Sequence, residues 1–190
     1  ATGTPSILFY TPAAVSQPPV SASAAPSESA SLPPTPERVP EADEFVRIVD
    51  YVPEAVTDLK YATTENFTGQ VIYDFTEAYA RYGTVAKLAQ AQEIFSQQGY
   101  RIKIWDAYRP VSAQFRLWEI CPDGNFVSNP NVGYSNHTRG CALDLTLIDS
   151  EGNEIEMPTS FDDFSEKADR DYSDVSPAAA ENAQMLEDVM

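Results

Sequence analysis

The clearest alternation of apolar and polar positions runs through 141–148, CALDLTLI. A period of two puts Cys141, Leu143, Leu145 and Leu147 on one face of a strand, and Ala142, Asp144, Thr146 and Ile148 on the other. A second run of the same kind, 100–105, pairs Ile102 with Ile104 on one face and Arg101, Lys103 and Trp105 on the other. Further strands are expected at 45–53, ended by Pro53, and at 70–73, after a polar turn around 64–66 and Gly69. Between them the period lengthens to that of a helix. Val85, Leu88, Ala89, Ile94 and Phe95 define a helix over 85–98, with Ala91 the poorest fit; Thr84 is placed to cap it and Gly99 to end it. Pro110 opens a second helix reaching 120, because proline is tolerated in a first helical turn. Ser176 and Pro177 open a third, with Met185, Leu186, Val189 and Met190 near one face. A turn at 149–153 predicts a short return strand at 154–157. The expected fold class is α+β: one domain, with helices packed on a small mixed or antiparallel sheet.

The periodic part of the chain is preceded by a stretch of different composition. Residues 11–40 are dominated by Ala, Ser and Pro, so 1–43 reads as a disordered, semi-extended linker and 44–190 as the domain. The chain begins at Ala1, and a linker behind a removed leader suits an extracytoplasmic or cell-surface protein, with a cytoplasmic one as the alternative. The 12 basic and 29 acidic residues give a net charge of −17, which argues against nucleic acid and anionic lipid as partners. No run of 18 apolar residues predicts a transmembrane span. The only two cysteines, Cys121 and Cys141, are read as either a disulfide or a pair of core thiols.

Candidate chemistry gathers before and within the 141–148 strand. A carboxylate inside an apolar strand needs a partner, since burying it alone costs several kcal/mol. Asp144 is such a carboxylate, and the turn at Gly140 can fold His137, the sole histidine of the chain, back over it. Together they offer one nitrogen and one oxygen ligand to zinc. Strand parity turns Cys141 away from Asp144, which weakens it as a third. Arg109 follows the 100–105 strand and is fixed by Pro110; it suits an oxyanion donor or a salt bridge to Asp106 or Glu119. The irregular loop 121–136, rich in Gly, Asn and Pro, leads straight to His137, as loops that line sites often do.

Four blocks, DLKYATTENFTG (58–69), IKIWDAYRP (102–110), SNHTRGCALDLTL (135–147) and FDDF (161–164), resemble the zinc D-alanyl-D-alanine dipeptidases of the vancomycin-resistance type. That group is related to D-alanyl-D-alanine carboxypeptidases and hedgehog-like folds. The resemblance implies His137 and Asp144 as ligands of one zinc ion, Arg109 as the group that steadies the oxyanion, and Ser135 and Asp162 as substrate-holding residues. Asp162 would lie near the free ammonium group. Tyr61 and Asn66 belong to a matched block without a role of their own. The implied reaction is hydrolysis of D-alanyl-D-alanine to two D-alanines; a carboxypeptidase acting on peptidoglycan stems and a non-catalytic cell-wall peptide binder are the alternatives. The family's C-terminal glutamate and second zinc histidine have no counterpart before Met190. Glu181 and Glu187 lie outside any matching motif and are expected to face solvent. The expectation is therefore a truncated domain that lacks a third ligand and a general base, binds zinc weakly and turns over little.

Overall fold

The computed structural model describes residues 38–190, and Val39–Met190 forms one compact unit. Residues 1–37, which carry most of the expected linker, lie outside the described residues. The centre of the domain is strand β4, Arg101–Asp106, whose numbering follows β1 (Phe45–Arg47), β2 (Val56–Thr57) and β3 (Tyr79–Arg81). β4 pairs in parallel with β2 on one side and antiparallel with β5, Asp144–Ile148, on the other. A second, two-stranded sheet joins β1 to β3 antiparallel. The sheet is thus mixed, as the alternation implies, but built from shorter pieces. The expected strand at 45–53 is a strand only over Phe45–Arg47, then tightens into a 3-10 turn, Ile48–Asp50, that buries Ile48. The segment 70–73 is not a strand: the backbone N–H groups of Ile72 and Tyr73 both donate to the Tyr61 carbonyl, leaving them no ladder partner. The 141–148 strand begins only at Asp144, because 135–141 is closed by its own turn bonds, Arg139 N–H to Ser135 and Cys141 N–H to Asn136.

Helix α1, Tyr82–Gln97, starts three residues earlier than its apolar period suggests. Thr84 does not cap it; its hydroxyl points to the Gly140 carbonyl at 3.4 Å. Val85, Leu88, Ala91 and Phe95 form the buried stripe, so Ala91 is a core residue and Ile94, 41% exposed, is not. Gly99 ends the helix at φ +84°, with Tyr100 N–H on the Phe95 carbonyl and Gly99 N–H on that of Ser96, both bonds of a Schellman motif. Gln92, buried on the same stripe, accepts the Ile102 N–H at 2.8 Å and so ties α1 to β4. Helix α2, Val111–Ile120, buries Ala113, Gln114 and Leu117. Helix α3, Pro177–Val189, is capped by the Ser176 hydroxyl, which accepts from Ala179 N–H at 3.1 Å. Met185, Leu186 and Val189 pack on the core, while Met190 is exposed. The expected return strand after β5 is a single bridge between Ile148 and Glu154. Cys121 and Cys141 are free thiols. No helix among the described residues is long and apolar enough to cross a membrane.

Two local features of this fold set up the site. Between Ile104 and Asp106 the β4–β5 register shifts, so Trp105 is an extra residue and Asp106 stands directly opposite Asp144. Gly140, at φ +73°, closes the turn after His137, and a Cβ there would sit 2.3 Å from the Phe45 ring. Both the backbone angle and the lack of space therefore require glycine.

Candidate active site

Two carboxylates facing each other across a strand pair repel, and the surrounding residues answer that repulsion unequally. Asp106 is fully buried and surrounded by donors. Its Oδ1 accepts from the Tyr73 hydroxyl at 2.6 Å and the Ala107 N–H at 2.9 Å; its Oδ2 accepts from Arg109 Nη2 at 2.5 Å and Nε at 3.1 Å. Asp144 has no such cage. Burial pushes its carboxyl up and the charge on Asp106 adds to this, while His137 opposes it. Asp144 is the carboxylate that a cation would complete.

His137 stands between the two. Its Nδ1 lies 3.1 Å from the Ala107 carbonyl and 3.4 Å from Asp106 Oδ2, both acceptors, so that nitrogen carries the proton. Nε2 is left with its lone pair free, 3.6 Å from Asp144 Oδ1. A tetrahedral zinc with bonds of about 2.0–2.1 Å holds its nitrogen and oxygen donors roughly 3.3–3.4 Å apart. The His137–Asp144 pair therefore fits zinc with only a small adjustment, and the backbone carbonyl behind the ring is the kind of support metal-bound histidines use. Asp106, His137 and Asp144 together place ligand-type atoms within 4.8 Å of one another. Asp106 approaches the imidazole from its protonated side, and its oxygens are already occupied by four donors. Cys141 is exposed, with its thiol directed to the Arg139 carbonyl.

Arg109 is held rather than free. Besides Asp106 it donates from Nη1 to Gln114 Oε1 at 3.1 Å, and its guanidinium lies 4.9 Å over the Tyr61 ring. Gln114 is itself fixed from α2 by donating to the Ser128 carbonyl at 2.8 Å. The salt bridge to Asp106 and a place on the cavity wall are thus both real; Glu119 takes no part. Three of its guanidinium N–H groups are used by Asp106 and Gln114. Ser135 is buried beside His137, and its hydroxyl accepts the His137 backbone N–H at 3.2 Å.

Tyr61, Arg109, Ser135, His137 and Asp144 line an open cavity of about 890 Å³, with Asp162 on another part of its wall. Asp162 Oδ1 accepts from the Tyr61 hydroxyl at 3.2 Å and Oδ2 from the Phe67 N–H at 3.3 Å. Burial still pushes its carboxyl up to about 6, against those two bonds. Its φ of +57° lies in the left-handed region, so the loop aims the carboxylate at some backbone cost. The neighbouring Asp163 is exposed and bonds only to its own loop, at Ser165 N–H.

Three residues without a role in the sequence reading have one here. Tyr61 is the floor shared by both halves of the cavity, under Arg109 and bonded to Asp162. Asn66 organises the loop that presents Phe67: its amide donates to the carbonyls of Lys60, Thr63 and Gln70 and accepts from Thr68. Asp106, weighed earlier only as a possible salt-bridge partner, anchors the whole metal side; its position at a strand end within the 102–110 block was the available signal. Glu187, expected to face solvent, is instead half-buried on the wall of this same cavity, where the Tyr172 hydroxyl at 2.6 Å and Arg170 at 3.0 Å hold its carboxylate.

A paired imidazole and carboxylate fitted to zinc, on a small mixed sheet beside a cavity with a caged arginine, define a zinc metallopeptidase. The chain belongs to the family described as D-ala-D-ala dipeptidase, whose sequence pattern matches residues 41–190. It is 37% identical over 150 residues to a D-alanyl-D-alanine dipeptidase of Escherichia coli, covering 79% of this chain and 77% of that protein. It is also 33% identical over 153 residues to one of Enterococcus faecium, covering 70% and 76%, and 30% identical over 167 residues to one of Streptomyces coelicolor, covering 77% and 83%. The general activity is accordingly that of a zinc hydrolase of the D-Ala-D-Ala dipeptidase type.

Proposed function

We propose that the site hydrolyses the free dipeptide D-alanyl-D-alanine, adding one water across its peptide bond to give two D-alanines and withdrawing the dipeptide from peptidoglycan precursor synthesis. The observation that carries this reading is Asp162: a carboxylate enclosed by Tyr61 and Phe67 on the wall of the cavity that also holds His137 and Asp144. An enclosed anion matches the ammonium of a free dipeptide, and an N-blocked chain would leave it unpaired at a cost.

In this reading His137 Nε2 and Asp144 hold zinc. Zinc bound there would supply a Lewis acid and a more acidic water molecule for the hydrolysis. Arg109, pinned by Asp106 and Gln114 on the cavity wall, is the cation for the oxygen on which charge builds; because it is already fixed, little reorganisation is needed. Ser135, whose oxygen accepts from His137, keeps its hydroxyl proton to donate to the substrate. Asp162 fixes the amino end and so sets which peptide bond lies over Arg109.

Calorimetric titration with D-alanyl-D-alanine and with its N-acetyl derivative tests the reading. The free dipeptide should bind at least about tenfold more tightly, and Asp162→Asn should erase most of that preference. Equal affinity for the two peptides in the unaltered protein would refute the assignment.

A further inference from the structure

Asp162 is also the root of an aromatic cluster that the hydrolysis does not use. Phe67, whose N–H binds the Asp162 carboxylate, sets its ring edge-on to Phe164 at 5.6 Å between centroids. Phe164, two residues beyond Asp162, packs in turn on Phe126 at 5.0 Å. Three segments without regular strand or helix, around 67, 126 and 164, are thus joined by ring contacts, with the Phe67 N–H bond to Asp162 as a further tie between the first and the last. Phe164 and Phe126 line the cavity yet are 48% and 46% exposed. Large rings left half in water are costly unless something else holds them there. Their mutual contact covers part of each ring, and both line the cavity that also holds Asp162.

Resting on the dipeptide reading above, we propose that Phe126 and Phe164, with Phe67, form a clasp that decides specificity by blocking the path a substrate would take beyond its amino group. Asp162 rejects a blocked amine through charge; the clasp rejects added bulk even when the charge is kept. The two effects are separable, because a substituent on nitrogen can enlarge the group without removing its charge. The clasp is also coupled to Asp162 through one residue: Phe67 contributes its backbone to the carboxylate and its ring to the cluster. The backbone that binds the Asp162 carboxylate and the ring that braces Phe164 therefore belong to the same loop, which Asn66 keeps in shape.

The test uses three ligands on the zinc-supplemented chain: D-alanyl-D-alanine, its N-benzyl derivative, which stays cationic and is bulky, and its N-acetyl derivative, which is neutral. Each is titrated by calorimetry into the unaltered protein, Phe164→Ala, Phe126→Ala and the milder Phe164→Leu, with circular dichroism as the check on folding. The expected result is a dipeptide-to-N-benzyl affinity ratio that falls by about tenfold or more when either ring is removed. The dipeptide-to-N-acetyl ratio should move far less, because Asp162 still enforces it. If the N-benzyl ratio is unchanged in the folded variants, or if the unaltered protein already accepts the N-benzyl peptide as readily as the dipeptide, the clasp is refuted while the dipeptide reading stands. If the unaltered protein does not bind the dipeptide, the substrate assignment fails and the clasp with it.

Discussion

The two ends of the cavity are built in opposite ways. On the metal side, Asp106 and Asp144 sit at paired positions of β4 and β5, and Arg109 lies between the end of β4 and the start of α2. Asp106 is fully buried, Arg109 nearly so, and each is fixed by several bonds. On the amino-group side, Asp162 projects from irregular chain at a left-handed backbone angle, held by two longer hydrogen bonds and flanked by half-exposed rings. Groups that act on reacting atoms tolerate little displacement, and the sheet supplies that rigidity. Groups that choose among substrates can sit on loops, where sequence and position change without disturbing the core. Tyr61 alone belongs to both sides, under the guanidinium and on the carboxylate.

The largest effect should come from breaking the rigid side at its centre. Asp106→Asn keeps the shape and an acceptor for Tyr73 and Ala107, but turns an amide toward Arg109 and leaves that guanidinium buried without its counter-charge. Removing one partner of a buried pair costs about 3–5 kcal/mol, and denaturant unfolding should show a loss of that order. A loss under about 1 kcal/mol would mean that water or Gln114 compensates, and that Asp106 is not the anchor described here.

How much of this contrast could be seen in the sequence follows from the same physics. The closeness of His137 and Asp144 was legible because a turn at Gly140 can fold the histidine back over a carboxylate in an apolar strand; that they form a zinc site came with the resemblance. Helices α1, α2 and α3 were legible from period, proline and capping residues, although α1 began early because Tyr82 and Gly83 extend it by backbone bonds to Glu44 and Ala42, which no local pattern encodes. The bulge at Trp105 was hidden, and with it the facing of Asp106 and Asp144, since register belongs to two strands together. The 70–73 segment misled because Val71, Ile72 and Tyr73 carry strand propensity while the fold commits the Ile72 and Tyr73 N–H groups to the Tyr61 carbonyl and packs the Tyr73 ring on that of Tyr61. Asp162 could be named only through the resemblance. Among 29 acidic residues, nothing local separates it from Asp163.

Zinc binding sharpens the contrast at intermediate magnitude. Of the three clustered residues, two have ligand atoms free for the metal, so the 190-residue chain should hold zinc weakly, far from the affinity of a closed four-ligand site. Competition against a chromophoric chelator measures this. His137→Ala should abolish what binding there is, and Asp144→Asn should weaken it more than Asp162→Asn does. Tight binding that survives His137→Ala would place the metal elsewhere in the molecule.

The smallest effect concerns the loop side and depends on pH. Burial raises the Asp162 carboxyl to about 6, above the range of an exposed aspartate, so the folded chain takes up its proton earlier than the unfolded chain as pH falls. The sign for stability is therefore unusual for an acid: this residue favours the folded state more at low pH, and that contribution is lost as pH rises through about 6. The sign for binding is the reverse, because an ammonium needs the ionised form. Affinity of the metal-free chain for D-alanyl-D-alanine should accordingly be level near neutrality and fall about tenfold per unit below pH 6, and Asp162→Asn should bind weakly with no such slope. If the slope persists in Asp162→Asn, another group carries it and the amino end is recognised elsewhere. If the unaltered chain shows no slope down to pH 5, the carboxylate is better solvated than its two bonds imply, and the specificity side would be wetter as well as looser than the buried Asp106–Arg109 pair on the metal side.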